Sequence, residues 1–203
     1  MADLEKESKR REYTIVAALS GVMAALVAVT TFAVQIYIPA TRGYLNFGDI
    51  MIFVSALTFG PAVGGFAGGV GSAISDVAGG YAYFAPYTFM IKGLEGIIAG
   101  LLSNRISHRR DVAAVVVAGT EMITGYFLAE FFPLQIGWAA LAEVPANILQ
   151  IVVGGIIGLP IALIIRKRLP EILKPENAIA KNRERASVSL RYRFTKELFR
   201  GFR

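Results

Sequence analysis

Apolar segments long enough to cross a bilayer recur along most of this 203-residue chain, and no other feature limits its fold as strongly. A spanning helix takes about 20 mostly apolar residues. Tyr13–Ile38 is one such uninterrupted segment. Ala62–Val77, Tyr87–Leu102, Val112–Phe132 and Trp138–Ile165 follow it, and a shorter apolar stretch, Asp49–Phe59, precedes the break at Gly60-Pro61. The composition agrees, with 55% hydrophobic and 18% charged residues and a mean hydropathy of +0.54. A soluble globular enzyme is excluded. The chain has no cysteine and a single histidine, His108, which removes disulfides, thiolate chemistry and His-cluster metal sites.

The net charge of +6 would first suggest nucleic acid in a soluble protein, but its placement argues otherwise. Through Ile165 the chain is slightly acidic, and the excess belongs to the tail from Arg166 onward. Lys and Arg favour the cytoplasmic side of short loops. With six spans, the clusters Lys6/Lys9/Arg10/Arg11, Arg105/Arg109/Arg110 and Arg166/Lys167/Arg168 share one side, and only Arg42 lies opposite. Five spans would split them. The sequence therefore predicts an all-α integral membrane protein, a six-helix bundle with both termini cytoplasmic. It divides into a cytoplasmic N-terminal segment (1–12), a membrane domain (13–165) and a basic tail (166–203). The segment after residue 12 is too long for a cleaved secretory signal. Tyr44, Phe47, Tyr81, Tyr83, Tyr87, Phe131, Phe132 and Trp138 collect at the inferred outer ends, as interfacial aromatic belts do.

Small residues mark close helix contacts. Ala17, Gly21, Ala24 and Ala28, with Ala25 beside them, form a stripe on the first helix, which serves either internal packing or docking of another membrane subunit. Gly60, Gly64 and Gly68, Gly96 and Gly100, and Gly154 and Gly158 repeat a four-residue spacing that predicts helix packing inside the bundle. GGVGSA within this run is no dinucleotide fingerprint, because no βαβ unit fits an apolar span, and the chain has no GxxxxGK[ST] phosphate loop.

Ionisable residues inside spans are costly and point to function. Lys92 and Glu95 fall on one face of the fourth helix, and Glu143, Asn147 and Gln150 on one face of the sixth. Tyr126 and Glu130 lie near the outer end of the fifth, with Glu121 deeper and turned roughly opposite. All these groups gather towards the outer leaflet, which suits a pocket open to the outside better than a continuous channel. Their simplest alternative is internal ion pairing and interhelical hydrogen bonding. Asp49 and Asp76 stand at helix ends, where capping or loop anchoring explains them as readily as ligand contact. The glutamates outnumber Lys92, an excess met by a proton on a glutamate or by donors or positive charge on a small heterocyclic ligand.

GYLNFGDIMIFVSALTFGPAVGGFAGGVGSAISDVAGGYAYFAPYTFMIKGLEGIIAG (Gly43–Gly100), with GYFLAE (Gly125–Glu130) and ALAEVPANILQ (Ala140–Gln150), resembles the S components of energy-coupling factor (ECF) vitamin transporters. It is most similar to the group associated with riboflavin and hydroxymethylpyrimidine. The resemblance implies a six-helix bundle that captures a vitamin from outside, with a T subunit and two cytoplasmic ATPases as partners and ATP used only by them. It implies that Ala17, Gly21 and Ala25 meet the T subunit and that the loop Pro39–Phe47 closes over the substrate. It also implies contacts from the fourth to sixth helices and outer loops, which makes Asn46, Tyr83, Lys92, Glu95, Glu121, Tyr126, Glu130, Trp138, Glu143, Asn147 and Gln150 the expected ligand residues.

The tail departs from that pattern. Leu190, Phe194 and Leu198 recur among Arg191, Arg193, Lys196 and Arg200, which reads as a basic amphipathic helix for an anionic membrane surface. A solitary permease or channel working without ATPases is the principal alternative function. A membrane enzyme is disfavoured, because the sequence has no Asp-rich lipid-transferase motif, Ser-His pair or metal cluster, and no nucleic-acid partner is expected.

Overall fold

The computed structural model describes residues 2–169 other than Arg105; the expected amphipathic helix of the tail lies outside them. Six α-helices follow one another: α1 (Ala2–Ala33), α2 (Asp49–Phe59), α3 (Pro61–Gly79), α4 (Ala85–Leu102), α5 (His108–Phe131) and α6 (Val144–Arg168). The expected break between α2 and α3 is present. Gly60 takes φ 97°, a backbone conformation that costs glycine little, and Pro61 starts α3, where its missing N–H is no loss.

Three boundaries differ from the sequence reading. The first helix stops at Ala33, and Ile36–Ile38 forms a strand (β1) paired antiparallel with Gly43–Leu45 (β2), so Tyr37 faces Tyr44 across the ladder. Isoleucine is at home in both helix and strand at an apolar boundary, so the composition gave no sign of the change. At its other end α1 is continuous back to Ala2, so the polar N-terminal residues extend the helix. The sixth apolar segment begins as a 3-10 turn, Gly137–Ala142, and becomes α-helical only at Val144. α6 then runs through Pro160.

α3 lies at the centre of the packing. Its small residues let α4 approach so closely that a Cβ on Gly64 would sit 2.9 Å from the Gly96 carbonyl oxygen and 2.6 Å from Ala56 on α2. The glycine spacing thus serves internal packing, as the sequence predicts. α1 packs on the other side of α3, with Ala24 and Val27 against Gly71. The small stripe of α1 consequently divides in two. Ala24 is buried, whereas Ala17, Gly21 and Ala25 face outward and Ala28 is half-buried.

Large apolar side chains such as Val29, Met90, Leu101, Val116, Ile156 and Ile164 are exposed. Around this belt the interior holds Lys92, Glu95, Asp111 and Glu130. An apolar exterior over an apolar core that also encloses these charged groups suits a lipid solvent. Three helical stretches, Glu5–Ala33, His108–Phe131 and Gly137–Arg168, are long and apolar enough to cross a membrane, while Asp49–Phe59 is a shorter apolar helix.

Candidate functional site

The topology brings the start of α2, the end of α3, the start of α4, the end of α5 and the start of α6 to the hairpin end of the bundle. A cavity opens among them, lined by Asn46, Lys92, Tyr126, Glu143, Asn147 and Gln150 together with Thr31, Gly43, Tyr44, Ser72, Asp76, Phe84 and Thr88. It is narrow, with about 20 Å³ open to the centre of a water molecule, room for about one water.

The hairpin forms one side of the cavity wall, and long-range hydrogen bonds fix it. Tyr44 Oη donates to Asp76 Oδ1 at 2.5 Å, and the Tyr44 ring packs on Tyr81 at 4.4 Å between centroids. The Asn46 amide donates to Gln150 Oε1 at 3.0 Å. Tyr83 Oη donates to the Arg42 carbonyl at 2.8 Å. Gly43 faces the Glu143 carboxylate so closely that a Cβ would collide with it. Burial pushes the Tyr44 phenol well above its ordinary pKa, and the neighbouring Asp76 charge adds to the effect. Tyr44 is thus a neutral donor.

On α6, Gln150 Nε2 donates to Asn147 Oδ1 at 2.7 Å, so both Gln150 functions are engaged and the Asn147 amide is oriented. Glu143 Oε2 is buried and without a hydrogen-bond partner. Opposite, Lys92 Nζ is ion-paired with Asp49 and, at 3.1 Å, with Glu95 Oε2, and it lies 5.7 Å from the Tyr126 ring centre. Tyr126 Oη in turn donates to Thr88 Oγ1 at 3.2 Å. The cavity therefore presents carboxylate acceptors on one wall, an ammonium on another and aromatic surface between, an arrangement for holding a polar, planar molecule.

Six of the eleven expected ligand residues line this cavity. The other five do not. Glu95 is fully buried behind Lys92, and Glu130 is buried beside Glu143. Glu121 is half-buried with one carboxylate oxygen enclosed. Tyr83 and Trp138 are exposed, Trp138 by 73% with its ring edge-on to Phe131 at 5.2 Å. The lining residues that sequence reasoning missed are mostly small hydroxyls and hairpin residues. Ser72 and Thr88 are isolated hydroxyls on apolar helices, and that was their only signal. Asp49 makes no cap; its partner is Lys92, 43 positions away.

The opposite end of the bundle is closed by a second polar cluster. Arg166 reaches inward from α6 to the Leu57 carbonyl at the end of α2, to Asp111 Oδ2 at 2.7 Å and to Ser103 Oγ at 3.1 Å. Ser103 donates to Asp111 Oδ1 at 2.6 Å. Among the described residues, no group of three or more His, Cys, Asp and Glu is placed to hold a metal.

A family profile described as ECF-type riboflavin transporter, S component, matches residues 13–167. This chain belongs to that family. It is a component of a vitamin transporter and not an enzyme. A Pyrococcus woesei protein described as "Uncharacterized protein in gap 3'region" is 47% identical over 149 residues, covering 73% of this chain and 99% of that one. The thiamine precursor transporter HmpT of Lactococcus lactis subsp. cremoris is 26% identical over 132 residues, covering 64% of this chain and 75% of that protein. The family match, residues 13–167, takes in every residue that lines the cavity.

Proposed function

We propose that this protein is the substrate-binding S component of an ECF importer and that it captures riboflavin or a pyrimidine- or pyridine-type vitamin precursor in the cavity beneath the hairpin. All six helices span the cell membrane in this reading, with residues 1–12 and the basic tail in the cytoplasm and the hairpin outside. A T subunit and two cytoplasmic ATPases drive uptake, and this chain itself holds no cofactor. The observation that carries the reading is the convergence of Lys92, Tyr126, Glu143, Asn147 and Gln150 on one cavity within a chain of this family. The exposed Ala17, Gly21 and Ala25 face supports docking of the T subunit, since small residues permit close helix approach. The Arg166 cluster at the far end argues against a pore through the bundle.

Uptake measured in proteoliposomes tests this. The full complex should accumulate its vitamin only with ATP, and the isolated chain should bind but not transport. ATP-independent uptake by the isolated chain would establish a solitary permease instead.

A further inference from the structure

The ligand reading above leaves two of the most deeply buried carboxylates in the bundle without a role. Asp49 and Glu95 are both fully enclosed and neither lines the cavity. They share one partner, the Lys92 ammonium, which does line it. We infer that Asp49 and Glu95 are positioning residues for ligand recognition: they hold Lys92 from behind, so that its remaining N–H is presented to an acceptor atom of the bound molecule.

An ammonium has three protons to donate. Asp49 on α2 and Glu95 on α4 take two of them, and among the described residues no hydrogen bond uses the third. Lys92 and Tyr126, whose ring lies 5.7 Å from Nζ, line the same cavity, and in the proposed arrangement the third N–H turns towards it. A lysine stem has four rotatable carbons and would otherwise wander. Here the stem leaves α4 where α3 is so close that a Cβ on Gly68 would collide with the Lys92 carbonyl, so backbone and head group are both pinned. The two carboxylates come from different helices, which ties the angle between α2 and α4 to the direction of the ammonium. A buried lysine without such partners would favour its neutral form and lose its strength as a donor.

This inference rests on the vitamin-binding reading, and a double-mutant cycle separates the two. Riboflavin and hydroxymethylpyrimidine serve as probes in equilibrium titrations of the purified full-length chain, with folding checked by thermal unfolding. Lys92→Met should weaken the probe that binds by about 10- to 100-fold, the size of a hydrogen bond to a charged group. Asp49→Asn and Glu95→Gln, which keep shape, should each weaken it at least about 5-fold alone. Added to Lys92→Met, each should cost no more than about 2-fold, the scatter expected of independent sites. Should Asp49→Asn fail to fold, Glu95→Gln completes the cycle. Losses that multiply in the Lys92→Met background, or carboxylate variants that bind like wild type, overturn the positioning role while leaving the vitamin reading intact. A wild-type chain that binds neither probe overturns both.

Discussion

Removing the Tyr44 hydroxyl tests how the hairpin is held over the cavity. Tyr44→Phe preserves the ring and its packing on Tyr81 and deletes only the donor to Asp76. A hydrogen bond to a buried charged acceptor contributes about 1.5–3 kcal/mol, so the free energy of local hairpin opening should fall by that amount. Amide exchange through local opening follows this free energy, and exchange should accelerate about 10- to 150-fold at 1.4 kcal/mol per decade. Hydrogen–deuterium exchange by mass spectrometry reads this directly in peptides covering residues 36–46. The Asn46 amide, bonded to Gln150 on α6, is the most informative reporter. Peptides from the far half of α4, tied to the Arg166 cluster, should not change. Unchanged exchange across the hairpin would refute the idea that this bond fastens it. The raised phenol pKa sets a pH dependence of known sign. Its stabilisation is complete below about pH 10, the unfolded tyrosine value, and is lost as pH rises above that. Wild-type stability should therefore fall above about pH 10 more steeply than that of Tyr44→Phe.

Asp111→Ala removes the carboxylate from Arg166 but leaves it the Leu57 carbonyl and Ser103, and should cost about 1.5–3 kcal/mol, the contribution of a hydrogen bond to a charged group; a thermal scan matching wild type would show that the ion pair contributes nothing. Gly96→Val places a side chain where the Gly64 carbonyl stands and should abolish folding or lower the melting temperature by many degrees, whereas Gly80→Ala, with no atom within 4 Å of its added Cβ but φ of 88°, should cost only about 1 kcal/mol of backbone strain. Gly21→Trp adds bulk where nothing lies within 4 Å, so vitamin binding should persist while co-purification with the T subunit and ATPases is lost; retained co-purification would place docking elsewhere.

The parts of the fold that are legible in the sequence rest on local signals, backbone preference and helical periodicity. Gly60-Pro61 announced the α2–α3 break because both residues impose backbone conformations of their own. The spacing of Glu143, Asn147 and Gln150 placed them on one face because a helix repeats every 3.6 residues, and all three are buried together. What remained hidden depends on partners distant in sequence. Asp49 and Asp76 stand at helix ends as the sequence indicates, and Asp76 anchors the hairpin through Tyr44, but the pairing of Asp49 with Lys92 depends on α4 and has no local signal. Glu95 reads as a ligand residue from its face alone, yet Lys92 stands between it and the cavity. Arg166 looked like one more cytoplasmic charge, but its long stem carries the guanidinium back to Leu57 and Asp111. The hairpin was concealed for a different reason: Ile36–Ile38 continues the apolar composition of α1, and only pairing with Gly43–Leu45 decides in favour of a strand.

In the proposed function, the cavity beneath the hairpin binds a vitamin-type heterocycle. Mass spectrometry of small molecules released from the purified chain, with absorbance to reveal a flavin, tests it most directly. Close to one heterocycle per folded chain should be found, strongly depleted in both Glu143→Ala and Asn147→Ala while the helical bundle stays folded. Full occupancy in both variants, or no vitamin-type molecule retained or bound by the wild-type chain, would contradict it.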